Sequence, residues 1–157
     1  MAKSLNVRRI ESFPLVGYTL SAAGDFLIIV RDTNGTGGTT RVNITTEHRD
    51  EITIVHAEGR LDFGNAKSFQ SAIEPLFEQT EGNTRAIVVN CSQLEYISSA
   101  GLRVFLVGAK LANKNAMGFT VCNLSPLVKD VFDISGFGNI MPICSDLESA
   151  LVTVKDA

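Results

Sequence analysis

The strongest constraint on this chain is an alternation that begins near residue 41. Short β-branched runs give way to longer stretches with apolar residues at helical spacing, and the pattern recurs to the C-terminus. Arg41 to Thr46 alternates, HRD at 48–50 reads as a turn, and Glu51 to Ala57 (EITIVHA) reads as a second strand. These two strands form an antiparallel hairpin. RAIVVN at 85–90 is a continuous apolar run, as expected of a central strand covered on both faces. Ala116 to Cys122 and Ile140 to Ile143 supply the remaining strands. Strands that alternate with helices predict an α/β fold, a mixed sheet whose parallel strands are joined by crossover helices.

About four helices fill the intervals. The first is expected from about Asn65 to Gln79, with Ala66, Phe69, Ile73, Leu76 and Phe77 on one apolar stripe. Pro75 lies inside it and predicts a kink or a break, because an interior proline costs roughly 3 kcal/mol. The segment CSQLEYIS at 91–98 reads as a loop into a second helix, from about Ser99 to Lys114. In that helix Leu102, Phe105, Leu106 and Ala109 form a buried stripe, and Arg103, Lys110 and Lys114 a solvated flank. Val104, Val107 and Leu111 form a second apolar stripe, which calls for either more burial or a partner. A third helix opens with Ser125 as N-cap and Pro126 at its first position and closes near Gly136. Ser145 is expected to cap a last helix.

Composition removes several classes of function. With 157 residues, a net charge of −3 and scattered Lys and Arg, the chain lacks the basic footprint of a nucleic-acid or membrane-surface binder. No apolar run near the start is long enough to span a bilayer or serve as a signal peptide, so a cytoplasmic protein is expected. Cys91, Cys122 and Cys144 are far apart and show no C-x-x-C spacing; they read as reduced thiols, two of them in core runs, with no metal site. Neither G-x-S-x-G nor a phosphate-cradling G-x-x-x-x-G-K-[ST] occurs, and His48 and His56 read as structural. No catalytic activity and no cofactor are expected.

Residues 1–40 differ in character from the rest of the chain. TNGTGGTT at 33–40 has turn or linker composition, and Phe26 to Arg31 reads as a strand. A strand over 26–32 could pair with 41–46 across that loop; the alternative is a loosely ordered extension, and the sequence leaves both open.

The segment YISSAGLR at 96–103 carries the functional signal. A serine that begins a helix ordinarily caps its free N–H groups, which is worth about 1 kcal/mol. The same position suits phosphorylation, since a phosphate there adds roughly −1.5 to −2 charges beside the positive end of the helix without unfolding the domain. Gly101 leaves room for a close approach.

VVNCSQLEYISSAGLRVFL, followed by FTVCNLSPLVKDVFDISGF, resembles the STAS domains of bacterial anti-sigma factor antagonists. GRLD at 59–62 sits at that family's Gly-x-Leu-Asp turn, and Asn65-Ala66 opens the next helix as the family does. The resemblance divides the chain into an extension at 1–40 and a STAS domain at 41–157. It implies partner switching. The unphosphorylated protein binds an anti-sigma factor that is also a serine kinase; phosphorylation releases it, and a serine phosphatase resets the cycle. Matched residue by residue, the phosphorylated serine is Ser99, with Ser98 as a competing site because it stands where many members have Asp. The implied partner surface comprises Asp62 and Asn65, the pair Ser98 and Ser99, and the first turns of the following helix. In that helix it takes in Gly101, Leu102, Arg103, Val104 and Val107. STAS domains also build stressosome-like and transport-associated assemblies, so a scaffold role is the alternative, with residues 1–40 as a homodimer contact.

Overall fold

The computed structural model describes residues 18–20, 26–28, 42–78 and 84–156. Seven strands form one mixed sheet in sequence order: β1 (Tyr18–Leu20), β2 (Phe26–Ile28), β3 (Val42–Arg49), β4 (Ile52–Leu61), β5 (Ala86–Ile97), β6 (Gly118–Cys122) and β7 (Ile143–Cys144). The first four run antiparallel to their neighbours, whereas β4 to β7 are parallel. Strand β2 lies within the expected 26–32 and pairs with β3 through Phe26↔Thr46 and Ile28↔Ile44. Apart from β1 and β2, residues 1–41 lie outside the described residues.

Helices α1 (Ala66–Phe77), α2 (Ser99–Lys114) and α3 (Pro126–Ile134) cover one face of the sheet, and α4 (Leu147–Lys155) covers part of the other. In the larger core four phenylalanines form a chain of ring contacts, Phe69–Phe105 at 6.0 Å, Phe105–Phe132 at 5.3 Å and Phe132–Phe137 at 5.2 Å between ring centres, and Phe77–Phe119 form a separate pair at 5.7 Å. The smaller core places Ala150, Leu151 and Val154 of α4 on Ile52, Ile54, Val88 and Cys122. Two-sided cover explains why RAIVVN shows no alternation: Ala86 to Cys91 are all buried. Burial also pushes the Cys91 thiol well above its ordinary range and that of Cys122 up to about 12, so both act as small apolar groups.

Several local expectations are corrected. CSQLEYIS is not a loop: β5 continues to Ile97 and pairs with β4 as far as Leu61. Two bulges hid this from the sequence. His56↔Asn90 is followed by Glu58↔Gln93, and Gly59↔Leu94 by Arg60↔Tyr96, so β5 gains one residue at each step. Its inward residues, Cys91, Leu94 and Ile97, are therefore spaced by three instead of two. Helix α1 is not split at Pro75, because the proline falls in the last turn and the buried Leu76 and Phe77 hold the end down.

The last strand is Ile143–Cys144 and not 140–143; Phe137–Asn139 forms a short 3-10 turn before it, and Met141 plugs the core. Asp146, not Ser145, caps α4, accepting from Ser149 N at 2.7 Å. Ser145 Oγ donates to the other Asp146 oxygen at 3.0 Å. Ser125 holds the cap position of α3, yet its hydroxyl donates to Leu94 O at 3.4 Å instead of capping.

Phe105 touches two of the other rings and is 1% exposed. Phe105→Ala should cost about 3–5 kcal/mol in urea unfolding. A loss below about 1 kcal/mol would show that the three-helix face is not the main core.

Candidate functional site

Parallel strands in an open α/β sheet present their carboxyl ends along one edge, where such folds place their sites. Here β4 ends at Leu61 and β5 at Ile97, the two residues are register partners, and Ser98 N donates to Leu61 O at 2.9 Å. This joint brings Asp62 and Ser98, distant in sequence, to the same edge.

The turn after β4 is held by side chains. Asn65 is 3% exposed and fully engaged: its Oδ1 accepts from Asp62 N at 2.9 Å and its Nδ2 donates to Arg60 O at 2.7 Å. Asp62 Oδ1 accepts from Gly64 N at 2.9 Å and from Asn65 N at 3.3 Å. Asn65 thus works as a clasp inside the turn, not as contact surface, while Asp62 stays half-buried at the rim. Between them the turn holds Phe63 outward, 87% exposed. The sequence reading missed Phe63; an aromatic inside a polar F-G-N turn was the available signal.

The two serines have different tasks. Ser98 is the N-cap of α2, and its Oγ accepts from Gly101 N at 3.2 Å. Its carbonyl accepts from Leu102 N at 2.9 Å. Ser99 is the first helical residue and its side chain is exposed. The capping role expected of a serine here therefore falls to Ser98, and the hydroxyl of Ser99 faces solvent.

Gly101 serves the fold. A Cβ on it would lie 2.8 Å from Leu61 Cγ, 2.8 Å from Ile97 Cγ1 and 3.0 Å from Leu61 O. The close approach is to the ends of β4 and β5. The rest of the expected partner surface divides sharply. Leu102 (8% exposed) and Val104 (2%) are core residues and form no contact surface; α1 lies against α2 and supplies the burial that the second apolar stripe required. Leu111 is also packed against that core, whereas Val107 is half-buried and Arg103 exposed. The edge thus presents Asp62, Phe63, Ser99 and Arg103, with Val107 lower on α2. Nearby, the Arg60 guanidinium sits 4.3 Å above the Tyr96 ring, a cross-strand pair that braces the last bulge.

Among the described residues no group of three or more His, Cys, Asp or Glu side chains could hold a metal ion. No helix among them is long and apolar enough to cross a membrane.

Comparison with known proteins agrees with this architecture. A family model for the STAS domain matches residues 43–150. The chain belongs to the STAS domain family. It is 34% identical over 116 residues to BtrV of Bordetella bronchiseptica, a candidate anti-sigma factor antagonist, covering 74% of this chain and 97% of that protein. An anti-sigma F factor antagonist of Paenibacillus polymyxa is 28% identical over 114 residues, covering 73% and 96%. Among solved structures, an anti-sigma factor antagonist from Mycobacterium paratuberculosis superposes with a TM-score of 0.68 at 21% identity, over 76% of this chain and 99% of the other. The match to the family model begins at residue 43, so it leaves out β1 and β2, which pair onto the β3 edge.

Three substitutions test this joint. Replacing a helical glycine by alanine ordinarily gains about 1 kcal/mol of propensity. At Gly101 the obstruction includes a backbone oxygen that cannot rotate away, and overpacking costs typically 1–3 kcal/mol. Gly101→Ala should therefore lower stability in chemical denaturation, and a stabilised variant would disprove the close approach. Ser98→Ala should cost about 1 kcal/mol through the lost cap, while Ser99→Ala should change stability by less than about 0.5 kcal/mol. Equal effects would mean that the cap is wrongly assigned.

Proposed function

We propose that this chain is an anti-sigma factor antagonist that works by partner switching, with Ser99 as the phosphorylated residue. One observation carries the choice of residue: of two adjacent serines, Ser98 is committed to capping α2 and Ser99 is exposed with no hydrogen bond to any described residue. The relatives' names supply the class of partner, an anti-sigma factor; in the proposed cycle that partner is also the serine kinase, and a serine phosphatase completes the cycle.

The physical logic is desolvation. Phe63 in the turn after β4 and Val107 two turns along α2 from Ser99 offer apolar surface, and a docked partner that covered them with Ser99 would exclude water from all three. Adding a phosphate there forces a dianion into that contact, and a loss of about 3 kcal/mol cuts affinity roughly 150-fold. The domain acts as a binding module and not as an enzyme. Both histidines are already hydrogen-bonded along β3 to β5, His48 with Thr53 and His56 with Glu47 and Asn90, so neither is offered to Ser99 as a base. The proposed cycle runs in the cytoplasm, with no nucleic acid, membrane or cofactor taking part.

A scaffold reading rests on a different feature. Strands β1 and β2 extend the sheet beyond β3, and β1 is its outer strand among the described residues. An outer strand can pair with a second copy, making residues 1–40 a homodimer contact. Sizing the protein with and without residues 1–40 separates the readings: a dimer that becomes monomeric on truncation favours assembly.

The switch itself is tested by mass spectrometry of the protein isolated from growing and from stressed cells, with peptides mapped across residues 86–103. Phosphate on Ser99 whose occupancy changes with conditions is the expected result. Phosphate on Ser98 instead, or none in any condition, would overturn the proposal.

A further inference from the structure

Arg103 is the cation nearest in sequence to Ser99 on α2, and among the described residues it has no partner. It is exposed, and it makes no hydrogen bond or ion pair with any described residue. The other described arginines are each engaged, Arg49 with Glu47, Arg85 with Glu51 and Arg60 on the Tyr96 ring, whereas the exposed Lys67, Lys110, Lys114 and Lys155 share the isolation of Arg103 among the described residues. Helix geometry explains its isolation. The residues three and four positions away from Arg103 are Ser99, Ala100, Leu106 and Val107, and none of them is acidic.

We infer that Arg103 is the residue that holds the phosphate when Ser99 is phosphorylated, forming an ion pair within α2. This rests on Ser99 being the modified residue. Three features of the helix favour it. Residues at i and i+4 have Cβ atoms roughly 5–6 Å apart on one face, well within the reach of an arginine. Side chains on a helix lean toward its N-terminus, so the Arg103 stem runs toward the turn that carries Ser99. An acid four residues N-terminal to a base is also the better of the two orientations.

The backbone contributes less at this position. Two N–H groups of the first turn, Gly101 and Leu102, are already taken by Ser98 Oγ and Ser98 O. A planar guanidinium that can donate two parallel bonds suits a phosphate better than an ammonium does. The phosphorylated domain would accordingly keep its fold and carry its new charge pinned along α2, where Phe63 and Val107 border the same surface. Phosphorylation in this picture consumes Arg103 as well as adding an anion, so two contacts change on one modification.

The test installs phosphoserine at position 99 during synthesis, so it does not depend on any kinase or on whether cells modify Ser99. The second ionisation of the phosphate is followed by phosphorus NMR against pH in the full chain, with Arg103 and with Arg103→Gln and Arg103→Lys. An arginine partner favours the dianion. The transition with Arg103 should lie about 0.3 pH unit or more below that of Arg103→Gln, a twofold or larger change in ionisation constant. Arg103→Lys should fall between, and molar salt should narrow the difference. Thermal unfolding supplies a second reading: the change in midpoint on phosphorylation should be more favourable with Arg103 present than in Arg103→Gln. Superimposable titrations for Arg103 and Arg103→Gln would overturn the pairing and leave the switch itself standing. Absence of Ser99 phosphate in cells would instead count against the switch, whatever the titration shows.

Discussion

The joint between the ends of β4 and β5 is the constraint on which the rest depends. Leu61 and Ile97 face each other as buried register partners, and Ser98 N closes the pair onto Leu61 O. Helix α2 then starts so close to that joint that Gly101 has no room for a Cβ. The exposed edge takes its form from this contact. Ser98 is turned back to cap the helix, Ser99 is forced outward as the first helical residue, and Arg103 comes one turn later on the same side. A helix set even one ångström further out would need no glycine, but it would lose the contact that fixes the orientation of Ser99.

Reaching that joint requires β5 to be longer than its partner. Strand β4 passes from His56 to Leu61 while β5 passes from Asn90 to Ile97, and the two bulges absorb the difference. The first bulge is pinned by side chains: Asn90 Oδ1 accepts from Ser92 N at 3.1 Å and from Asn123 Nδ2 at 3.1 Å, while its Nδ2 lies 3.1 Å from His56 Nδ1. His56 in turn reaches Glu47, so a polar chain crosses from β3 to the end of β6. Polar chains of this kind add specificity because a half-made version leaves buried groups unpaired. The region is therefore fixed at the level of backbone register, and the proposed partner surface rests on it.

Position in the fold also divides labour among neighbours that look alike in the chain. Asp62 and Asn65 both belong to the turn after β4, yet Asn65 is a buried clasp and Asp62 a rim residue. Val104 and Val107 lie three apart on α2, yet one is core and the other borders the exposed edge. The approach of α1 decides that difference, because Phe69 and Phe105 meet between the two helices and draw their flanks out of solvent.

Much of this was legible in the sequence, for identifiable reasons. Helical stripes declared α1 and α2, since a period near 3.6 survives any tertiary context; a β-branched run without alternation declared the central strand. Pro126 after Ser125 marked the start of α3. The order of motifs pointed to the STAS family, and the serine pair beside a glycine marked the start of α2, where the switch is proposed. Three things lay beyond the sequence. The bulges in β5 break the period of two and disguise a strand as a loop. Which serine caps α2 depends on a backbone angle set where Ser98 meets Leu61, a residue far away in the chain. Which apolar residues of α2 remain outside depends on where α1 comes to rest. In each case the deciding contact joins segments distant in sequence, so a periodicity counted along one segment has no access to it.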